Sequence, residues 1–275
     1  MTINCKGQLI DLSNPKVMGI LNITQNSFFD GGKWNSFEKI LSHVEQMLND
    51  GATFIDVGAY SSKPNAEFIS EEQEIAQIVP VIRLLLEKFP NILISIDTFR
   101  AKVAEACIIE GAAIINDISA GNLDEQMLPT IAKLQVPYIM MHMRGNPQTM
   151  QSLTDYENLI KEVLLYFSEK IAEARTLGIN DIMVDPGYGF SKTLEQNYEL
   201  MQQSELLQLL ELPILVGVSR KSIIYKALYT TADNALNGTT FLHAIALTKG
   251  ASILRVHDVK EAVEAVKLFG FFSRK

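Results

Sequence analysis

Short apolar runs recur along almost the whole chain, and each stops at a polar or glycine residue. Eight of them stand out, at 17–22, 54–58, 92–97, 113–117, 138–142, 182–185, 214–219 and 253–257. They are rich in Val and Ile, and segments with helical periodicity separate them. Phe37, Ile40, Leu41, Val44, Met47 and Leu48 repeat at helical spacing and end at Gly51, a predicted C-cap. Ile75, Ile78, Val79, Ile82, Leu85 and Leu86 form the core face of the next helix. Ser70 and Gln73 make its capping box, and Pro90 stops it. Further helices are expected over about 99–110, 125–134, 157–177 and 259–269. Such alternation predicts βαβ units on a parallel sheet. Eight units predict an α/β fold, a single (β/α)8 TIM barrel domain spanning 1–275.

The polar connections are long after strands 1, 2 and 5, at 23–36, 59–70 and 143–156. Functional loops of a barrel follow the C-terminal ends of its strands. Those ends carry Asn22, Asp97, Asn116, Asp117, His142, Asp185, Arg220, Lys221, Arg255 and His257. In the first loop, Phe28, Phe29 and Trp34 are hard to explain as core and suit a lid over a substrate.

Composition narrows the function classes. Of 275 residues 47% are hydrophobic, ordinary for a chain with a large core. The net charge of −8 lacks the basic footprint of a nucleic-acid binder. It leaves room for an anionic small ligand, because a few cations can converge in one pocket. Cys5 and Cys107 have neither metal-type nor C-x-x-C spacing, so a reduced, cytoplasmic protein is expected. The first thirteen residues lack an apolar signal-like core, and no run approaches the ~18 apolar residues of a membrane span.

Strand 8 ends Arg255-Val256-His257, and a period of two puts Arg255 and His257 on one face. Two readings stay open for this pair. It binds a phosphate or diphosphate, or Arg255 pairs with a neighbouring carboxylate and His257 is structural. After strand 7, Lys221 either meets a ligand or is solvated. Ser222 either opens a helix that attracts an anion or is an ordinary cap. Asp97, Asn116 and Asp185 fit a heterocycle with adjacent N–H groups, which a carboxylate accepts in bidentate fashion. Each also suits a cap or an ion pair. Asp56 and Asp117 stay open between a site and a structural role, with the structural one favoured, and His142 reads as a polar core or rim residue without ligand spacing. Met140, Met141, Met143 and Phe190 suit core gaps as well as a pocket wall.

Eight ordered motifs carry a resemblance. They are Met18-Gly-Ile-Leu-Asn-Ile-Thr24, Ser27-Phe-Phe-Asp-Gly-Gly32, Ile55-Asp-Val-Gly58, Ser95-Ile-Asp-Thr98, Ile114-Ile-Asn-Asp-Ile-Ser119, Asp185-Pro-Gly-Tyr-Gly-Phe190, Val216-Gly-Val-Ser-Arg-Lys-Ser222 and Arg255-Val-His-Asp-Val259. Together they resemble the dihydropteroate synthase family over about 16–268. That family joins 6-hydroxymethyl-7,8-dihydropterin diphosphate to p-aminobenzoate with release of diphosphate in folate biosynthesis. The resemblance implies that Asp97, Asn116, Asp185 and Lys221 hold the pterin, with Met141 and Phe190 beside it and Arg255 against its face. It implies that Asn22, Arg255 and His257 bind the diphosphate, that Asn22 ligates Mg²⁺, and that Asp30 orders both. Ser222, with Ser62, Lys63 and Pro64, would receive the aminobenzoate. It further implies a homodimer. A pterin-binding barrel without turnover, or one presenting folate to a corrinoid methyl-transfer partner, is the alternative class.

Two loops depart from the family pattern. Thr24-Gln25-Asn26-Ser27 stands where Thr-Pro-Asp-Ser is usual, replacing a carboxylate by an amide and a stiff proline by Gln25. Gly58-Ala59-Tyr60-Ser61-Ser62-Lys63-Pro64-Asn65 carries lysine in place of an arginine fork. If the missing carboxylate matters for Mg²⁺, Asn26→Asp maintains or raises turnover at limiting Mg²⁺. A marked fall in steady-state turnover shows the amide to be an adaptation.

Overall fold

The computed structural model describes residues 1–23, 33–60 and 69–272, with side chains in the first helix from Phe37 onward. The eight expected strands are present as β3 (Lys16–Asn22), β4 (Phe54–Gly58), β5 (Leu93–Asp97), β6 (Ile114–Asp117), β7 (Tyr138–Met141), β8 (Ile182–Asp185), β9 (Leu215–Val216) and β10 (Ile253–Val256). They form one parallel sheet in the order β8-β7-β6-β5-β4-β3-β10-β9. A parallel bridge between Val184 and Ile214 brings the two end strands together and closes the ring. β9 is shorter than the expected run at 214–219, because the chain leaves the ladder for a turn closed by the Lys221 N–H on the Val218 carbonyl at 3.1 Å.

The surrounding helices are α1 (Lys33–Asn49), α2 (Glu71–Lys88), α3 (Ala101–Ile109), α4 (Met127–Leu134), α5 (Leu159–Thr176), α6 (Leu194–Gln202), α7 (Ser222–Tyr225), α8 (Leu236–Thr248) and α9 (Val259–Phe272). The Ser70–Gln73 capping box opens α2 as expected, and Ile78, Ile82 and Leu85 face the core. Val81 joins them and Val79 does not, so the stripe lies one residue round the helix from the expected face. α1 begins at Lys33, which places Trp34 in a helix and not in the first loop. Among the described residues no helix is long and apolar enough to cross a membrane.

The N-terminal residues hold a structure that the apolar pattern did not announce. β1 (Thr2–Cys5) and β2 (Gln8–Asp11) pair antiparallel across Lys6 and Gly7, both at positive φ. Two consecutive positive φ values mark the two-residue turn that suits the twist of a hairpin. Ile3, Cys5, Ile10 and Leu12 pack against Met18, Phe54, Ile114, Ile139, Met183, Leu215 and Ile253, the lowest interior layer of the barrel. The hairpin thus plugs the end of the barrel opposite the strand C-termini. Four residues per strand are too few for alternation to stand out in a sequence.

Strand alternation sorts the remaining side chains. Val17, Leu21, Ile55, Val57, Ile94, Ile96, Ile115, Val184, Leu254 and Val256 face outward into the helix layer. Ile3→Ala removes a fully buried plug residue, 1% exposed. It is expected to lower unfolding free energy by ~2–4 kcal/mol in urea titration. Both substrate KM values should stay unchanged, because the plug lies at the far end of the barrel.

Candidate active site

Above the apolar floor of Phe54, Ile114, Met183 and Ile253, the next interior position on these four strands is polar. On β4, β6, β8 and β10 these are Asp56, Asn116, Asp185 and Arg255. Arg255 lies at the centre. Its Nε donates to Asp56 Oδ2 at 2.5 Å, and its Nη2 donates to Asp97 Oδ2 at 2.6 Å. Asn116 Nδ2 donates to the same Asp56 oxygen at 3.0 Å. Burial pulls the Arg255 guanidinium down, but the carboxylates of Asp56 and Asp97 more than reverse this and hold it charged. Burial also raises the Asp97 carboxyl, with Arg255 opposing. The carboxylate reading of Arg255 is therefore realised, and the pairing fixes the guanidinium across the barrel mouth.

Asp56, left open by the sequence, lies in the cluster at the mouth. It is 0% exposed, bridges Arg255 and Asn116, and leaves its Oδ1 buried without a partner. Its signal was its parity: it lies two residues after inward-facing Phe54. Asp117 has the opposite parity and is structural, accepting from Tyr138 Oη at 2.6 Å, Ser119 N at 2.7 Å and Gly121 N at 2.7 Å.

On the facing wall, Asp185 Oδ1 accepts from the Gly187 N–H at 2.7 Å. Lys221 Nζ donates to the Tyr188 carbonyl at 2.8 Å and lies 4.8 Å from the centre of the Phe190 ring. A β-carbon on Gly217 would sit 3.7 Å from Lys221 Nζ, 3.8 Å from Asp185 Oδ2 and 3.9 Å from Arg255 Cβ. Three polar or charged side chains thus converge over one bare backbone position. Burial pulls the Lys221 amine down to about 8, with Asp185 supporting its charge. Burial pushes the Asp185 carboxyl up, with Lys221 opposing. Met141 packs with Ile118, Met143 and Met150, and Phe190 lies against the same cluster, making an apolar wall beside these groups.

The rim is built less tightly. Asn22 ends β3, exposed, in register with Gly58. His257 Nδ1 and Ser219 Oγ are 3.1 Å apart, and the His257 N–H donates to the same oxygen at 3.1 Å. Ser219 was not anticipated as its partner. Ser222 is the first residue of α7, a single turn for which Lys221 is the N-cap. The position therefore offers a half-buried hydroxyl, and the expected helix N-terminus amounts to one turn. Arg220 turns away from the mouth. Its Nε and Nη2 donate to Asp258 at 2.8 Å each, and its Nη1 donates to the Ala232 and Asp233 carbonyls. His142 is buried behind the mouth, 3.0 Å from Lys192 Nζ. Asp30, Ser62, Lys63 and Pro64 lie outside the described residues, as do Gln25, Asn26, Phe28 and Phe29.

Comparison with known proteins gives the family of the chain. The family model for pterin binding enzymes matches residues 18–257. The dihydropteroate synthase of Escherichia coli (strain K12) is 41% identical over 270 residues, covering 98% of this chain and 95% of its own. That of Clostridium beijerinckii is 43% identical over 262 residues, covering 94% of each. The crystal structure of Yersinia pestis dihydropteroate synthase with a sulfonamide drug complex superposes with a TM-score of 0.92 at 39% identity, covering 99% of both chains. The Xanthomonas albilineans enzyme in complex with 7,8-dihydropteroate gives 0.89 at 31% identity, covering 100% of both.

Barrel and mouth together define a pterin-binding enzyme. More narrowly, the chain belongs to the dihydropteroate synthase family, pterin-transferring enzymes of folate biosynthesis.

Asp56→Asn leaves Arg255 with one charged partner in place of two. Breaking such a pair is expected to destabilise the fold by ~3 kcal/mol in urea titration. It should also weaken binding of the pterin substrate about ten-fold, as the guanidinium loses its fixed plane. Isothermal titration with the pterin diphosphate reads the second effect.

Proposed function

We propose that the barrel mouth condenses 6-hydroxymethyl-7,8-dihydropterin diphosphate with p-aminobenzoate, giving 7,8-dihydropteroate and diphosphate. The observation that carries this reading is the convergence of Asp97, Asn116, Asp185, Lys221 and Arg255 beside the Met141–Phe190 wall. Buried carboxylates suit the N–H edge of a 2-amino-4-oxo ring, which donates to both oxygens of one carboxylate. The apolar wall suits the ring's flat face. Arg255, already held charged, lies against the opposite face and toward the diphosphate, with His257 and Asn22 at the rim above.

The reaction breaks the bond between the pterin methylene and the diphosphate oxygen, and forms a bond from that methylene to the arylamine nitrogen. The electron pair leaves with diphosphate, and the nitrogen releases one proton. The electron-rich pterin carries the developing positive charge, so bond breaking runs ahead of attack. A neutral arylamine needs no strong general base. Accordingly, the work assigned to the protein is positioning and charge stabilisation. Lys221 and Arg255 supply positive charge near the leaving group. The Ser222 hydroxyl receives the aminobenzoate carboxylate, with Ser62, Lys63 and Pro64 assigned to its ring.

Mg²⁺ belongs to this proposal. Among the described residues no group of three or more His, Cys, Asp or Glu side chains is arranged to hold a metal. The Asn22 amide offers a single hard oxygen, which suits an ion that keeps several waters and binds mainly through substrate phosphates. Asn22, with Asp30, would hold it, and it would neutralise the departing diphosphate. The exposed Phe241 on α8 and Leu268 and Phe272 on α9 suit an apolar interface between two copies, hence a homodimer. Cys5 and Cys107 are buried free thiols pushed up to about 12 by burial, which suits a reducing cytoplasm.

An assay with pterin diphosphate, Mg²⁺ and p-aminobenzoate, omitting each in turn, tests the reading. Diphosphate release that needs aminobenzoate is expected. Tight pterin binding with no release would instead mark a binding module. Arg255→Ala should sharply weaken pterin-diphosphate binding, by about 100-fold, since it removes a charge and a stacking plane. Unchanged binding and turnover would overturn the assignment of Arg255.

A further inference from the structure

Behind the wall formed by Asp185 and Lys221 lies a second buried amine with no part in the scheme above. Lys192 is 4% exposed. Its Nζ meets three acceptors: His142 Nδ1 at 3.0 Å, the Gly187 carbonyl at 3.1 Å and the Phe190 carbonyl at 3.0 Å. An ammonium has three N–H groups, so the site matches its donors one for one. Burial pulls this amine down to about 7, with Asp185 supporting its charge. For His142 Nδ1 to accept, its ring must be neutral with the proton on Nε2. Burial, together with Lys192, holds that imidazole well below the usual histidine range, in agreement.

The carbonyls that Lys192 holds belong to the turn that shapes the pterin side of the mouth. That turn presents the Tyr188 carbonyl to Lys221 Nζ at 2.8 Å and the Phe190 ring to the same ammonium. Two lysines therefore grip one four-residue segment, Gly187–Phe190, Lys221 from the mouth and Lys192 from behind. The turn has little freedom elsewhere. A β-carbon at Gly187, φ +69, would lie 2.1 Å from the His142 carbonyl oxygen, so the segment is pressed against the end of β7. Ser191 adopts φ +46, a conformation that disfavours a side chain, and this reversal sends Lys192 back beneath its own turn. Ser191 is tied there by its carbonyl accepting from Tyr156 Oη at 3.0 Å and its Oγ accepting from the Arg144 N–H at 3.0 Å. Backbone strain held this firmly by neighbours is a mark of a segment with a task. Lys192 is also among the cations that oppose the rise of the Asp185 carboxyl.

We propose that Lys192 is a positioning residue for pterin binding: by fixing the Gly187–Phe190 turn from behind, with His142 as its third partner, it sets Phe190, Lys221 and Asp185 for the pterin ring. The proposal rests on the assignment of the pterin to this wall. It separates Lys192 from a general core residue, because the segment it holds carries the Phe190 ring and the carbonyl that holds Lys221.

The test compares Lys192→Met with Asp185→Asn and the unaltered chain. Equilibrium dialysis with 6-hydroxymethylpterin measures pterin affinity, and steady-state kinetics at saturating pterin diphosphate give the KM for p-aminobenzoate. Lys192→Met is expected to weaken pterin binding about ten-fold or more while the aminobenzoate KM stays within about two-fold. Equal losses for both substrates, or pterin affinity within about two-fold of the unaltered chain, overturn the proposal. Loss in Asp185→Asn with none in Lys192→Met overturns the clamp alone. No loss in either overturns the pterin placement beneath it. Should Lys192→Met fail to fold, His142→Leu keeps both carbonyl contacts and removes the third. A selective pterin loss of about three-fold or more supports the clamp, and an equal or absent loss overturns it.

Discussion

The Arg255 guanidinium, caught between Asp56 and Asp97, is the contact on which the mouth of this barrel depends. It joins β10 to β4 and β5, and Asn116 extends the link to β6 through the shared Asp56 oxygen. Its net contribution to stability is small in principle, because desolvating three charges offsets most of their attraction. What it supplies is direction. A guanidinium is planar and presents its donors in a fixed fork, so two carboxylates on neighbouring strands leave it one plane. The mouth then has an acidic wall for N–H donors and a cationic centre for an anionic tail. Three carboxylates, Asp56, Asp97 and Asp185, face two cations, Arg255 and Lys221. The balance favours a ligand that is donor-rich at one end and anionic at the other.

A parallel barrel can carry this cluster because stability is secured elsewhere. The floor is sealed by the N-terminal hairpin, and the outward faces of the strands are buried under the helices. Separation of a stabilising end from a reactive end is the general economy of the fold. The loops beyond the rim are tied back to that frame. Tyr60 and Ile69, on either side of the segment 61–68, both meet Arg100. Its guanidinium carbon lies 5.2 Å from the Tyr60 ring centre, and its Nη2 donates to the Ile69 carbonyl at 2.8 Å. Arg100 is itself held by buried Glu74 at 2.6 Å, which also accepts from Thr98 Oγ1 at 2.8 Å. On the opposite side, Gln196 Nε2 donates to the Thr154 carbonyl at 2.7 Å, and Tyr156 reaches Ser191, joining the loop after β7 to the segment that follows β8.

Much of this was legible in the chain. A strand in a parallel barrel is short, apolar and β-branched, and it stops where the mouth begins, so the eight elements and many of the rim residues could be read from hydropathy, whereas Asp117, His142 and Arg220 end up away from the mouth and Asp56 within it. Capping at Ser70 and the inward pairing of Arg255 with the mouth follow from local spacing as well. Which residue types stand near the strand ends is written locally in the chain, because backbone periodicity is a local property. Which of them meet depends on how the strands close into the barrel. Asp56 and Asp117 look alike along the chain, yet one lies at the centre of the site and the other ties Tyr138 to the outer layer. Arg220 and Lys221 are neighbours, and they point in opposite directions across a turn with positive φ at Arg220. Lys192 lies among polar loop residues in the sequence and is nearly inaccessible in the fold. The physical reason is common to all three. Burial, partner and charge depend on strands far apart in the chain closing on one another, and no local pattern contains that closure.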